Sequence, residues 1–238
     1  MLLTQKIHEL LIVPFRDFIF PPVCFLCNLR LEPNDDRVCT KCWSEFTKID
    51  YTTPAYEELK SRFENGKVVD GFVSCYLFEK DGRFQEAVHL LKYRGIKSIG
   101  VRLGTDLGNL ITGDQLLKSI DLITPVPLHK LKYRERGYNQ SEYLCKGISE
   151  ILGKQHFPKL INRKKYTQSQ TKLNIQERRS NVAEAFVLNP RCIGEISGKN
   201  ILLVDDVITT GSTIEAVAQV LKQNGASLVY AASAGLAK

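Results

Sequence analysis

The sequence lacks the features that define several large classes of protein. No apolar run in its 238 residues approaches the roughly 20 residues that a membrane-spanning helix needs. Its four histidines are scattered and form no Ser-His-Asp or Cys-His pattern for nucleophilic catalysis. The G-x-G-x-x-G fingerprint of dinucleotide-binding folds and the Gly-Lys-Ser/Thr ending of a P-loop are both absent. The cysteines, the charges and one hydroxyl-rich segment therefore carry the indications of function.

The N-terminal residues 1–23 are apolar, but polar or charged residues at positions 8–9 and 16–17 divide them into short runs. Leucine and isoleucine recur there at helical spacing, at Leu3, Ile7, Leu10 and Leu11. This spacing fits an amphipathic helix that packs on the protein better than a signal or membrane segment. We therefore expect a cytoplasmic protein without membrane insertion.

Positive charge is concentrated in the middle of a chain whose composition is otherwise ordinary for a packed globular protein. The net charge is +7, and the stretch from His129 to Arg179 alone holds thirteen Lys or Arg against four Glu. Such a stretch fits a polyanionic partner or a phosphorylated substrate. A solvated basic face without a partner has the same composition, and this alternative stays open.

Four of the seven cysteines form two C-x2-C pairs, Cys24 with Cys27 and Cys39 with Cys42, separated by eleven residues. Two such pairs supply the tetrahedral ligand set of a structural zinc site. A redox pair and two disulfides are the alternatives, but a redox C-x2-C does not normally occur twice at this spacing, and cytosolic thiols are kept reduced. Because four thiolates leave no open coordination position, we expect this zinc to support the fold.

The region near the C-terminus has the pattern of a βαβ unit. Ile201 to Val204 is a short apolar run that ends at two aspartates, as a buried parallel strand that leads to a site would. After a turn, apolar residues at helical spacing predict a helix, and Asn224-Gly225 predicts its end. A second apolar run, Leu228 to Ala232, predicts the next strand.

The turn of this unit, Thr209-Thr210-Gly211-Ser212-Thr213, places several hydroxyls and backbone N–H groups at the start of a helix, where an anion is favoured. Gly211 lets the backbone close around a phosphate without a Cβ in the way. Asp205 and Asp206, just upstream, are placed to accept hydrogen bonds from ribose hydroxyls. An ordinary helix cap with two nearby aspartates is the alternative, but such a cap uses one hydroxyl. The pattern predicts a site for a 5-phosphorylated ribose.

The basic region contains a strand signal, Asp121 to Pro127, followed by a loop, Leu128 to Gln140. This loop is expected beside the first site, because ligands bind at the carboxyl ends of parallel strands. A second basic segment around residues 163–181 suggests a mobile hood. Tyrosines among these residues suit either stacking on single-stranded bases or burial under lysine stems. The candidate contacts to pyrophosphate or DNA are Lys92, Arg94, Lys130, Lys132, Arg134, Arg136, Arg163, Lys164 and Arg178.

The segment Ile201 to Thr213 resembles the phosphoribosyl pyrophosphate signature of type I phosphoribosyltransferases. This resemblance implies that Asp205 and Asp206 hold the ribose and, if the protein is an enzyme, act in catalysis, while residues 209–213 hold the 5-phosphate. It also implies an α/β fold with an open, mainly parallel sheet flanked by helices, and Mg²⁺ bound with the sugar pyrophosphate. The reaction would displace pyrophosphate at C1 of the ribose.

Several motifs together resemble the ComF family, also called competence protein F or ComFC. They are the four-cysteine module and the segments LKYRG (91–95), PVPL (125–128), RERGYNQS (134–141), QSQTKLNIQERRSNV (168–182) and LLVDDVITTGST (202–213). The resemblance implies a zinc finger, a role in DNA uptake during natural transformation, contact with single-stranded DNA and a helicase-like partner.

We expect an N-terminal helix and zinc module at residues 1–50, a linker at 51–66 and a phosphoribosyltransferase-like domain at 67–238. The favoured function is binding of phosphoribosyl pyrophosphate, or of a nucleotide 5-phosphate, with Mg²⁺ and single-stranded DNA. Two alternatives stay open: a non-catalytic DNA-binding or helicase-adapting module, and a nucleotide-salvage phosphoribosyltransferase.

Overall fold

The computed structural model describes residues 21–33, 35–114, 119–163 and 185–237. The chain divides into two compact units, residues 1–45 and residues 46–238. In the described ranges, no helix has both the length and the apolar character needed to cross a lipid bilayer. The predicted N-terminal helix and most of the predicted hood, from residue 164 to residue 181, lie outside the described residues.

The first unit carries the two cysteine pairs at tight turns. The turn that holds Cys24 and Cys27 is closed by a hydrogen bond from the N–H of Asn28 to the carbonyl oxygen of Cys24, at 2.8 Å. Asn28 is in the left-handed region, at a φ of 59°. The second pair lies at the start of a short helix, α1 (Thr40–Ser44). Cys39 caps this helix, because its sulfur accepts a hydrogen bond from the N–H of Cys42 at 3.4 Å.

The second unit alternates helices and strands along the chain. The strands are β1 (Gly71–Phe78), β2 (Leu122–Pro125), β3 (Ile161–Arg163), β4 (Phe186–Leu188), β5 (Asn200–Ile208) and β6 (Leu228–Ala237). The helices are α2 (Pro54–Gly66), α3 (Arg83–Tyr93), α4 (Lys97–Gly113), α5 (Lys130–Arg136), α6 (Gln140–Leu152), α7 (Ile193–Ile196) and α8 (Ser212–Gln223), with a 3₁₀ turn at Pro190–Cys192.

Four parallel strands form the sheet of this unit, in the spatial order β1-β6-β5-β2. The inner strand β6 is buried from Val229 to Leu236, which is why apolar or small residues fill its positions instead of alternating with exposed polar ones. Helices α2 and α8 share one core with strand residues such as Ile201 and Leu203, while α4 packs on β1 and β6 and α6 packs on β2 and β5. The predicted parallel sheet with flanking helices is confirmed.

The predicted βαβ unit is also confirmed, with one difference in length. Helix α8 buries the four predicted apolar positions, Ile214, Val217, Ala218 and Leu221. The strand before it was predicted to end at Val204, but β5 continues through both aspartates to Ile208 because it pairs with β6 as far as Leu236. The aspartates therefore lie within a strand.

Two segments predicted without regular structure contain helices. The loop predicted at residues 128–140 holds α5, which begins after a cap by His129, whose Nδ1 accepts from the N–H of Leu131 at 3.2 Å. It ends at Gly137, in the left-handed region at a φ of 79°. Most of the segment 51–66, expected as a linker, is helix α2.

Helices α4 and α6 approach so closely that glycines are required at the contact. A Cβ on Gly147 would lie 2.1 Å from the carbonyl oxygen of Val101, and one on Gly104 would lie 2.1 Å from the carbonyl oxygen of Leu144. Backbone atoms cannot yield as flexible side chains do, so this contact fixes how near the two helices lie.

Substitution of Gly147 by Ala should therefore lower the free energy of unfolding by about 1–3 kcal/mol, because the added methyl group overlaps backbone of α4. Denaturant unfolding measures this change. Gly113→Ala is the matched control, since a Cβ there meets nothing within 4 Å and Ala is the better helix former. Equal stability of the two variants would contradict the close contact.

Candidate functional site

The four cysteines of the first unit form one cluster. Their Sγ atoms all lie within 4.8 Å of one another, and the sulfurs of Cys27 and Cys39 are 3.8 Å apart. A tetrahedral zinc ion with Zn–S distances of about 2.3 Å places its sulfurs about 3.8 Å apart. All four cysteines are free thiols. The geometry fits a closed structural zinc site, as predicted, and does not fit two disulfides.

The electrostatics of the cluster also favour a bound cation. Burial of Cys24 opposes its ionisation, but backbone N–H groups of Cys39, Cys27 and Leu26 lower the pKa of its thiol to about 7. Burial and the neighbouring sulfurs raise the pKa of Cys42. Because the thiolates repel one another, a divalent cation is needed for all four to be ionised together.

Loss of one ligand should release the metal. We expect Cys24→Ser to hold less zinc than the unchanged protein and to destabilise the first unit, because three thiolates bind zinc more weakly than four. Metal analysis of the purified proteins measures the content. Cys192→Ser, outside the cluster, is the control and should keep one zinc per chain; a full complement in the Cys24 variant would contradict the four-thiolate site.

The two aspartates of the second unit lie where the sheet opens. Strand β2 pairs with β5 from Leu122–Ile201 to Pro125–Val204, whereas β6 pairs with β5 as far as Ile208–Leu236. Asp205 and Asp206 follow Val204 directly. They therefore lie at the carboxyl end of β5, the edge at which open α/β sheets bind ligands.

Each aspartate is held by neighbouring groups. Asp205 Oδ1 accepts from the N–H of Asp206 at 2.9 Å and from Ser141 Oγ at 3.1 Å. Asp206 Oδ1 accepts from the N–H of Val207 at 2.8 Å, and its Oδ2 forms an ion pair with Lys92 Nζ at 2.7 Å. The carboxylates thus come from β5, the hydroxyl from the start of α6 and the ammonium group from the end of α3.

The pair of carboxylates shares a site that disfavours two negative charges. Burial, followed by the charge of Asp206, raises the pKa of Asp205 to about 7, against the lowering effects of the Asp206 N–H, Lys92 and Ser141. Near neutral pH this carboxyl therefore takes up or releases a proton. A divalent cation or a set of ligand hydroxyls beside it would favour the ionised form.

The hydroxyl-rich turn joins β5 to α8. Thr209 and Thr210 are exposed, and Thr210 Oγ1 lies 3.0 Å from Ser212 Oγ. Gly211, at a φ of 75°, is buried, and a Cβ there would lie 2.6 Å from Leu59 Cδ1 and 2.9 Å from a ring carbon of Phe63. The loop thus needs glycine both for its backbone conformation and for its contact with α2.

The structure brings only some of the predicted basic residues to the aspartates. Lys92 contacts Asp206, and Arg136 Nη2 donates to Tyr93 Oη at 3.4 Å, beside Lys92 in the chain. Arg163 lies over the ring of Phe186, 5.1 Å from its centre. The exposed candidates are Arg94 at the end of α3 and Lys130, Lys132 and Arg134 on α5. Lys164 and Arg178 lie outside the described residues.

Two tyrosines of the basic region are packed against lysine side chains, and a third is exposed. Tyr138 is buried and donates from its hydroxyl to the carbonyl oxygen of Leu91. Lys97 lies over the rings of Tyr138 and Tyr143, at 5.1 and 5.4 Å. Tyr133, by contrast, is 49% exposed on α5. Tyr138 and Tyr143 therefore have the packed arrangement of the second alternative, and stacking of Tyr133 on a base stays a prediction.

Two residues of the site were missed by the sequence reasoning. Ser141 lies inside the quoted motif RERGYNQS, so attention to its hydroxyl could have identified it. Arg62 lies on α2, in a segment without a motif, and donates to Ser212 Oγ at 3.0 Å. Because the two residues are 150 positions apart in the chain, the local sequence around Arg62 gives no sign of this contact.

Two family models match the chain. Residues 146–234 match the phosphoribosyl transferase domain, and residues 15–55 match the double zinc ribbon domain. Together with the parallel sheet and the four-cysteine cluster, they define a phosphoribosyltransferase-like fold joined to a zinc-binding module.

The relatives of this chain include two competence proteins whose names are those of the family that the motifs resemble. The DNA utilization protein YhgH of Escherichia coli K12 is 38% identical over 109 residues, 46% of each chain. Competence protein F of Haemophilus influenzae is 37% identical over 109 residues, 46% of this chain and 47% of that protein. Competence protein ComFC of Bacillus subtilis is 24% identical over 209 residues, 85% of this chain and 79% of that one. The chain therefore has homologues named DNA utilization protein YhgH, competence protein F and competence protein ComFC.

The YhgH and competence protein F matches span about half the length of those relatives. Two solved structures also match, each at 18% identity over 57% of this chain and 26% of the other. One is the allosteric regulatory enzyme of purine biosynthesis, with a TM-score of 0.37. The other is glutamine phosphoribosylpyrophosphate amidotransferase from Bacillus subtilis, with a TM-score of 0.39.

Proposed function

We propose that this protein binds phosphoribosyl pyrophosphate, or a related nucleotide 5-phosphate, with Mg²⁺, and that it binds single-stranded DNA during DNA uptake. The observation that carries the proposal is the meeting of Asp205 and Asp206 with Lys92 and Ser141 next to a hydroxyl-rich helix start. A diol-binding pair of carboxylates beside a phosphate-binding turn is complementary to a ribose 5-phosphate.

In this proposal the turn at residues 209–213 holds the 5-phosphate. Backbone N–H groups at the start of α8 and the hydroxyls of the turn donate to the phosphate oxygens, and the helix dipole favours the negative charge. Asp205 and Asp206 accept from the ribose 2′- and 3′-hydroxyls. Mg²⁺, which prefers oxygen ligands, offsets the charge of the pyrophosphate.

If a phosphoribosyl group is transferred, pyrophosphate leaves C1 of the ribose as the acceptor bonds there. The chain contributes by holding the sugar at both ends and by stabilising the charge of the departing group. Lys92 is the cation that the structure holds against the aspartates. The proposal needs no protein nucleophile.

The proposed DNA surface is α5 and its surroundings. This helix buries none of its residues and carries four Lys or Arg among seven positions. Leu131 and Tyr133 on α5 and Tyr93 at the end of α3 are about half exposed. Exposed aromatic rings among cations suit stacking and backbone contact with single strands. The names of the relatives, a DNA utilization protein and competence proteins, agree with a role in DNA handling.

The ribose site is tested by Asp205→Asn combined with Asp206→Asn. We expect this variant to bind phosphoribosyl pyrophosphate with Mg²⁺ at least tenfold more weakly, about 1.4 kcal/mol, because amides are weaker acceptors for the ribose hydroxyls and for the metal. Calorimetric titration measures the affinity. Glu150→Gln, exposed on α6, is the control.

Equal affinity of the double variant and the unchanged protein would place the ligand elsewhere. Absence of binding to the unchanged protein, with DNA binding retained, would favour the non-catalytic DNA-binding alternative.

The DNA surface is tested by Lys132→Gln combined with Arg134→Gln. Each lost phosphate contact should reduce the slope of log affinity against log salt by about 0.7 for a single strand, or about 1.4 for the pair. Fluorescence titration of an oligonucleotide across a salt series gives the slope. The control pair is Lys154→Gln with Lys199→Gln, which removes two exposed cations. Lys154 follows the end of α6 and Lys199 precedes the start of β5, whereas Ser141 and the aspartates lie at the other ends of these elements. A drop in slope for the control pair alone would place the DNA elsewhere.

A further inference from the structure

Arg62 links helix α2 to the first turn of α8. Its Nη2 donates to Ser212 Oγ at 3.0 Å and to Glu215 Oε2 at 2.6 Å, and its Nε donates to Glu215 Oε2 at 2.9 Å. The Arg62 and Glu215 side chains are 26% and 23% exposed. One guanidinium group therefore holds both a hydroxyl of the turn and a carboxylate of α8.

The chemistry of this contact fixes the direction of the Ser212 hydroxyl. A guanidinium group only donates hydrogen bonds, so Ser212 Oγ accepts from Arg62 and keeps its own proton for donation. Thr210 Oγ1 lies 3.0 Å from the same oxygen, and either hydroxyl can donate in that pair. Arg62 thus makes Ser212 a donor toward the turn, where an anion has the geometry to accept it.

Glu215 determines where Arg62 lies and how much charge it brings. Two hydrogen bonds to one carboxylate oxygen hold the guanidinium group in place. The carboxylate also neutralises the positive charge. The contribution of Arg62 to an anion in the turn is therefore mainly the orientation of a donor, and less a long-range attraction.

Helix α2 supports the turn at two adjacent positions. Leu59 and Phe63 fill the space beside Gly211, and Arg62, on the same helix, holds the next residue, Ser212. The apolar contact sets the position of the backbone, and the polar contact sets the direction of the hydroxyl.

We propose that Arg62 is a positioning residue for a phosphomonoester bound in the turn at residues 209–213. This inference rests on the proposed ribose 5-phosphate site and adds a residue that acts through Ser212. A terminal phosphate has three free oxygens for the hydroxyls and N–H groups of the turn, one more than the diester of a nucleic-acid backbone.

The test is a double-mutant cycle in the full chain, with ribose 5-phosphate as the probe and titration calorimetry as the measurement. Arg62→Met should lower affinity about tenfold, and Ser212→Ala should lower it by a similar factor. Arg62→Met added to Ser212→Ala should cause no further loss, because the hydroxyl through which Arg62 acts is already gone. Arg62→Lys, which keeps a donor, should recover part of the affinity.

Arg83→Met is the matched control, because it removes a comparable arginine–glutamate pair, Arg83 with Glu86 at 3.1 Å, on a different helix. Its affinity should equal that of the unchanged protein. Thermal unfolding of every variant separates loss of fold from loss of affinity, and Arg62→Lys provides a second comparison if Arg62→Met does not fold.

Two results would overturn the inference while leaving the site intact. One is unchanged affinity in Arg62→Met. The other is an equal loss of affinity from Arg62→Met whether or not Ser212→Ala is also present. Absence of ribose 5-phosphate binding to the unchanged protein would overturn the proposed site, and the role of Arg62 with it.

Discussion

The unequal pairing of β5 is the constraint on which the site depends. β5 pairs with β6 as far as Ile208, four positions beyond its last pairing with β2 at Val204. Asp205 and Asp206 lie in that stretch, and each carboxylate accepts from the N–H of the following residue. The strand thus stays regular while its carboxylates reach groups from α3 and α6. If β5 had ended at Val204, where its pairing with β2 ends, the backbone of the aspartates would not have been held by hydrogen bonds to β6.

Helix packing places the groups that meet at this edge. The close approach of α4 and α6, permitted by Gly104 and Gly147, sets the position of α6 and hence of Ser141. Tyr138, which precedes α6, donates to the carbonyl oxygen of Leu91, next to Lys92. Leu59 and Phe63 of helix α2 pack against the hydroxyl-rich turn at Gly211. Residues far from the ligand edge therefore determine the geometry of the site.

The sequence predicted what is encoded locally and missed what depends on distant contacts. The cysteine pairs, the βαβ unit and the turn at residues 209–213 are contiguous motifs, and each lies where the pattern indicated. The pairing that extends β5 to Ile208 depends on β6, so an acidic pair was interpreted as the end of a strand. Arg62 contacts residues 150 and 153 positions away. Its segment has no motif, so it was expected to be a linker.

Ion pairs inside the site reduce the positive charge that Lys92 and Arg62 can offer to a ligand. Lys92 is paired with Asp206, and Arg62 with Glu215, so these two cations bring little net charge to an incoming phosphate. Burial and the charge of Asp206 raise the pKa of Asp205 to about 7. Above that pH, Asp205 adds a negative charge to the site. In the proposed function, a sugar pyrophosphate would therefore enter this site with a cation of its own, and Mg²⁺ fits that need. Lys130, Lys132 and Arg134, exposed on α5, belong to the proposed DNA surface, where counterion release would favour a nucleic-acid strand. The two proposed ligands thus rely on different electrostatics: a metal-borne charge for the sugar pyrophosphate and exposed cations of the protein for the DNA strand.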